Sequence, residues 1–194
     1  MMAQALSPNI EKIISAISFL ISEGDRLGIN LTQYDIVKSL FLADRSHLNE
    51  WGRPITFDNY FAMEHGPVPS LAYDLLKNNE YVMRRRGIGE LPWRRDRIDN
   101  RRFSFHVGQT VDFDEFLSPS DKAALFSALE TVNSLTFSQI RRLTHEDPAY
   151  VDAWRDDGGR DSYPMKFDLL FEGQEDSQSD AETIAEYSAY VSAG

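Results

Sequence analysis

The stretch Trp51–Leu76, WGRPITFDNYFAMEHGPVPSLAYDLL, decides how the rest of the chain is read. One glycine and two prolines crowd into His65-Gly66-Pro67-Val68-Pro69, which leaves the backbone few conformations. The pattern predicts a rigid corner between two core elements. Pro69 is expected at the first position of a helix whose Leu71, Leu75 and Leu76 fall at helical spacing. A preformed ledge offered to a partner is the functional alternative for the same residues. Before the corner, Arg53-Pro54 turns the chain into residues 55–63, which read as a short strand or an irregular packed segment.

Upstream, Thr32 and Asp35 form a carboxylate capping box, with Leu31 and Ile36 as its hydrophobic staple. Ile36, Val37, Leu40, Phe41, Ala43 and Leu48 then trace a buried stripe that ends near Trp51-Gly52. A first helix is predicted from Ser7-Pro8 to a stop at Glu23-Gly24, carrying Ile10, Ile13, Ile17 and Leu20 on one face. Downstream, Tyr81-Val82-Met83 and Phe103–Val107 read as the strands of a wide arginine-rich hairpin insert over 81–107. Ser118-Pro119 with Asp121, and Thr136 with Gln139, open two further capped helices. The expected fold is mainly α, a compact helical domain over 1–171 with a small β-hairpin insert. An acidic tail over 172–194, with a short helix at 181–191, completes the organisation.

At 194 residues the chain suffices for one well-buried core. No run approaches the roughly 18 apolar residues of a membrane span. Cysteine is absent, so disulfides are excluded and any metal site needs histidines and carboxylates; a cytoplasmic setting is expected. The net charge of −11 argues against broad nucleic-acid binding. Yet Arg84–Arg102 holds eight arginines against three acids, a surplus of five that leaves −16 on the remainder. Such a segment docks on the acidic body, binds an acidic partner or touches phosphate, so nucleic acid stays open there alone. Trp93, among Arg94, Arg95 and Arg97, has the composition of a binding hot spot, or else folds back onto the body. Tyr187, at helical spacing with Ile184 and Val191, is the partner-facing candidate of the tail.

Catalytic signatures are missing: the chain has no Walker loop, GxGxxG, HExxH or GxSxG. No cofactor is expected. His65, His145 and Glu146 admit a metal or acid–base reading; the structural alternative is that both histidines make buried hydrogen bonds locking the corner and the turn before Pro148. Asp44, on the apolar stripe, reads as a carboxylate held by Arg53 or by backbone N–H groups. Trp51 and Trp154 are expected to cap the core.

The segment YDIVKSLFLADRSHLNEWGRPITFDNYFAMEHGPVPSLAYDLL resembles the Panacea domain, the family of SocA-like antitoxins. The resemblance rests on Lys38, Leu40, Ala43 and Asp44, then His47, Gly52, Arg53 and Pro54, then His65, Gly66, Pro67 and Val68. A second block, Leu135–Tyr150, adds Thr144, His145, Glu146 and Pro148. It departs from the family pattern in carrying Ala149-Tyr150 where a tryptophan often follows the proline. The resemblance implies a mainly helical, non-enzymatic domain that neutralises a cognate toxin by direct protein binding. A phage or host regulatory adaptor is the alternative, and a metal-dependent hydrolase or nuclease a third.

Overall fold

The computed structural model describes residues 5–173 and 177–192; the expectations for the remaining tail positions lie outside them. Helix α1 (Ile10–Leu27) starts later than Ser7-Pro8 predicts, because Asn9 is the cap, its side chain accepting from the Lys12 N–H. Ser7 is engaged elsewhere, its N–H donating to Ser188 Oγ at 3.0 Å. Gly24 does not stop the helix. A β-carbon there would lie 2.7 Å from Leu31 Cδ1, so the glycine permits close packing. The stop is Gly28, whose φ of 70° suits a residue without a β-carbon. Helix α2 (Gln33–Trp51) has the expected Thr32–Asp35 capping box and ends on Gly52.

The expected corner is a strand. β1 (Tyr60–Met63) and β2 (Gly66–Pro69) form an antiparallel hairpin closed by Glu64-His65, with Met63 opposite Gly66. β2 lies at the edge of its sheet, where proline's missing N–H breaks no ladder. Pro69 caps α3 (Ser70–Leu76) from outside rather than entering it. Tyr81-Val82-Met83, expected as a strand, lies in helix α4 (Glu80–Arg85), because Asn79 supplies an N-cap acceptor for the Val82 N–H. The arginine-rich hairpin is therefore shorter than 81–107: it pairs β3 (Trp93–Arg97) with β4 (Phe103–Val107). Asp99 closes its loop by accepting from the N–H groups of Arg101 and Arg102 and from Arg102 Nε.

A short α5 (Phe113–Phe116) leads to α6 (Pro119–Ser134) and α7 (Phe137–His145), both with the predicted capping boxes. Asp147 caps α8 (Pro148–Ala153), and β5 (Ser162–Pro164) adds a strand beside β1 that the sequence did not reveal. A 3₁₀ turn (Phe167–Leu170) and α9 (Ser177–Val191) complete the described chain. The protein is mainly helical with two small sheets.

Helix α2 is the spine. Its Ile36, Val37, Leu40 and Ala43 pack with Ile13, Ile17 and Leu20 of α1, with Leu125 and Leu129 of α6, and with Leu71 and Leu75 of α3. Phe41 and Leu48 turn towards a second cluster with Phe57, Tyr60, Tyr150 and Phe167, which α9 covers with Ala181 and Ile184. Trp93 belongs to the first cluster. Trp51 is not a core cap: it is 59% exposed and lies over the His47 ring.

Candidate functional site: a cationic groove above a locked scaffold

The polar residues of the Asp44–Pro54 region are consumed by structure. Asp44 is 3% exposed, and its Oδ1 accepts from the N–H groups of Ile55 and Thr56 at 2.8 and 3.0 Å. Its Oδ2 accepts from the Thr56 hydroxyl and from Tyr60 at 2.8 Å. Backbone and hydroxyl groups, not Arg53, thus hold it, while burial pushes its carboxyl up. Arg53 instead donates to Asp121 at 2.9 Å, beside Lys12 at 2.8 Å. His47 lies between the Arg53 carbonyl and Ser120 Oγ, at 2.8 and 3.0 Å. Asp58 tethers α3 by accepting from the N–H groups of Leu71 and Ala72; burial pushes its carboxyl up to about 7 against these donors. Together Asp44, Asp58 and Asp121 fix α2, the segment after it, α3 and α6 to one another.

The two resembling blocks meet at Gly66. A β-carbon there would sit 2.7 Å from Thr144 Oγ1 and 2.8 Å from Lys38 Nζ, so only glycine admits this approach, and its φ is 103°. Lys38, 1% exposed, donates to the Pro67 carbonyl at 2.8 Å, and burial lowers its ammonium to about 7. The expected histidine locks do not form. His65 is exposed, its ring edge-on to Phe137. His145 lies on the Tyr150 ring with its Nε2 buried and without a hydrogen-bond partner among the described residues; burial, with help from Arg141, Lys38 and His65, lowers it to about 4. Leu40, Ala43, Pro54 and Val68 are buried. Glu146 and Pro148 are exposed at the α7–α8 junction. Among the described residues no three His, Cys, Asp or Glu side chains gather as a metal site.

Above this scaffold opens a groove of about 940 Å³. Helix α2 supplies Tyr34, Val37 and Lys38 at the i, i+3, i+4 spacing that puts them on one face. The β1–β2 hairpin contributes Met63 to His65 and Val68, and the end of α3 adds Tyr73 and Lys77. Arg95, Arg101, Arg102 and Phe103 come from the β3–β4 hairpin, Arg141 from α7, and Trp154, Arg155, Asp156, Gly158, Arg160 and Asp161 from the loop after α8. Eight basic side chains face three carboxylates there, on a chain whose net charge is −11. Arg95 lies 4.1 Å from the Phe103 ring centre, and burial lowers its guanidinium.

Of the partner-facing candidates read from sequence, Trp93 takes its alternative and is folded back onto the body, 7% exposed. Arg94 and Arg97 are exposed on β3, Arg95 enters the groove, and Tyr187 is 52% exposed against Phe57. Lys77, Arg141, Arg155 and Arg160 were not anticipated. They come from three separate segments, and no local pattern announces their convergence.

A family model described as antitoxin SocA-like, Panacea domain, matches residues 36–150. The chain belongs to the SocA-like Panacea family. The matched span runs from α2 to α8 and so contains both blocks that meet at Gly66. Membership associates this Panacea protein with toxin–antitoxin regulation in general. No curated protein and no solved structure matches the chain significantly. No helix among the described residues is long and apolar enough to cross a membrane.

Proposed function

We propose that this Panacea protein is a cytoplasmic antitoxin that neutralises a cognate toxin by forming a stoichiometric complex, without catalysis of its own. The observation that carries the reading is the antitoxin family match over residues 36–150. The fate of the motif residues supports it: Asp44, His47, Arg53 and Lys38 serve internal hydrogen bonds instead of converging on a reacting centre. The contact face we assign is the outer edge of β3. Among the described residues this strand pairs with β4 alone, which leaves an edge open to a partner's backbone. Arg94 and Arg97 flank that edge and suit a toxin with an acidic rim. Tyr187 on α9 offers a second exposed anchor.

The test is coexpression with the toxin encoded beside this gene. Rescue of growth together with near one-to-one copurification is expected, and Arg94→Glu with Arg97→Glu is expected to weaken both while leaving the fold intact. Rescue without a complex, or a complex indifferent to the β3 edge, sinks the respective part of the reading.

A further inference from the structure

Among the described residues seven of the twelve cations outside the groove have a carboxylate within ion-pair distance, against one of the eight within it. On the body, Lys12 and Arg53 share Asp121, Arg45 meets Asp147 and Glu172, and Lys122 meets Asp114. Of the eight groove cations only Arg102 has a carboxylate within ion-pair distance among the described residues, its loop partner Asp99. The other seven have no carboxylate partner among the described residues: Lys38 lies buried at the floor, Arg95 rests on Phe103, and Arg155 donates only to the Asp152 and Trp154 carbonyls. Among the described residues two further polar groups of the groove are buried without a hydrogen-bond partner, the Tyr34 hydroxyl and Arg95 Nε. Lys38 at its floor uses one hydrogen bond of the three its ammonium can donate. Unmet donors gathered at one place point to an anionic ligand.

We propose that the groove binds nucleoside phosphates, presented free or as a short single strand of RNA. Six of the eight cations are arginines, whose planar forks bind phosphate oxygens in pairs and stack on rings. Between them stand the half-buried rings of Tyr34, Tyr73, Phe103 and Trp154, the alternation of charge and flat surface that a strand of phosphates and bases requires. An acidic peptide satisfies the cations but brings no flat group to add to the stacking of Arg95 on Phe103 and of Lys77 on Tyr73. The groove's volume of about 940 Å³ lies at the upper end of the roughly 300–1,000 Å³ usual for small-molecule sites, room for more than one nucleotide. With the groove at a surplus of five, the rest of the chain carries −16, which repels a long duplex and restricts the ligand to what fits inside.

The experiment uses the full chain and a short fluorescent single-stranded RNA, read by anisotropy at low salt. Binding is expected, with a log–log salt slope of about −0.7 per phosphate neutralised. Arg141→Glu, Arg155→Glu and Arg160→Glu together are expected to lower affinity about tenfold or more, by removing several phosphate contacts. Arg84→Glu with Arg85→Glu, exposed outside the groove, is expected to change it little. Displacement of the RNA by ATP identifies free nucleotide as a ligand; retention against ATP identifies the strand, and either result supports the site. Absence of binding, equal effects of the two variants, or displacement by polyglutamate as readily as by unlabelled RNA overturns it, the last in favour of an acidic protein segment. A protein that neutralises its toxin yet binds no RNA refutes the groove assignment and leaves the antitoxin reading standing.

Discussion

Replacing Lys38 by methionine is expected to stabilise the protein at neutral pH and to remove a rise in stability on the alkaline side. The ammonium is 1% exposed, its one hydrogen bond runs to the Pro67 carbonyl, and no carboxylate among the described residues pairs with it. Burial lowers it to about 7 in the folded protein, whereas an unfolded chain holds lysine near about 10.4. Between these values the unfolded state binds more protons, so stability rises with pH, by up to about 1.4 kcal/mol per unit and about 4 kcal/mol in all. Below the folded value both states are protonated and the full cost is present. His145, Asp58, Tyr34 and Tyr150 titrate at or beyond the edges of this window: His145 near 4, Asp58 near 7 with its effect complete above that, and Tyr34 and Tyr150 near 12. Methionine fills a similar volume but leaves the Pro67 carbonyl unpaired, a loss of about 1–2 kcal/mol. The net expectation is a gain of about 2–3 kcal/mol at pH 7 that shrinks as pH rises and becomes a loss of about 1–2 kcal/mol by pH 10, where only the unpaired Pro67 carbonyl counts. Urea unfolding of both proteins at pH 7 to 10 measures it. Parallel stability curves, or a less stable variant at pH 7, refute the reasoning.

Gly66→Ala is expected to cost about 2–4 kcal/mol, combining a φ of 103° with overlap against Thr144 and Lys38; denaturant midpoints give the value. Asp44→Ala is expected to cost at least about 3 kcal/mol by orphaning buried donors of Ile55, Thr56 and Tyr60, visible as a lower Tm. Trp93→Ala is expected to cost about 3–5 kcal/mol and Trp51→Ala within about 0.5 kcal/mol, a contrast that tests the burial of one and exposure of the other.

Local chemistry made the helices legible. Thr32–Asp35, Ser118–Asp121 and Thr136–Gln139 each close a capping box where the residues predict one, because a cap is decided within four positions. Errors came where a distant partner decides. Gly24 looks like a stop until Leu31 packs on it, and Pro67-Val68-Pro69 looks like a corner until β1 pairs with it. Tyr81-Val82-Met83 has strand composition, yet the Asn79 cap makes it a helix. Trp93 in an arginine-rich run was legible only as two alternatives, and β-alternation decides for the body by turning it inward while Arg94 turns outward. The groove was the least legible part, since its cations are gathered from five stretches of chain far apart in sequence.

Direct capture of the toxin tests the central claim: tagged protein purified from its own host, with stoichiometry measured for whatever copurifies. A toxin encoded next door, recovered near one-to-one and inactive while bound, is the predicted result. Full protection from that toxin with no complex formed contradicts neutralisation by binding.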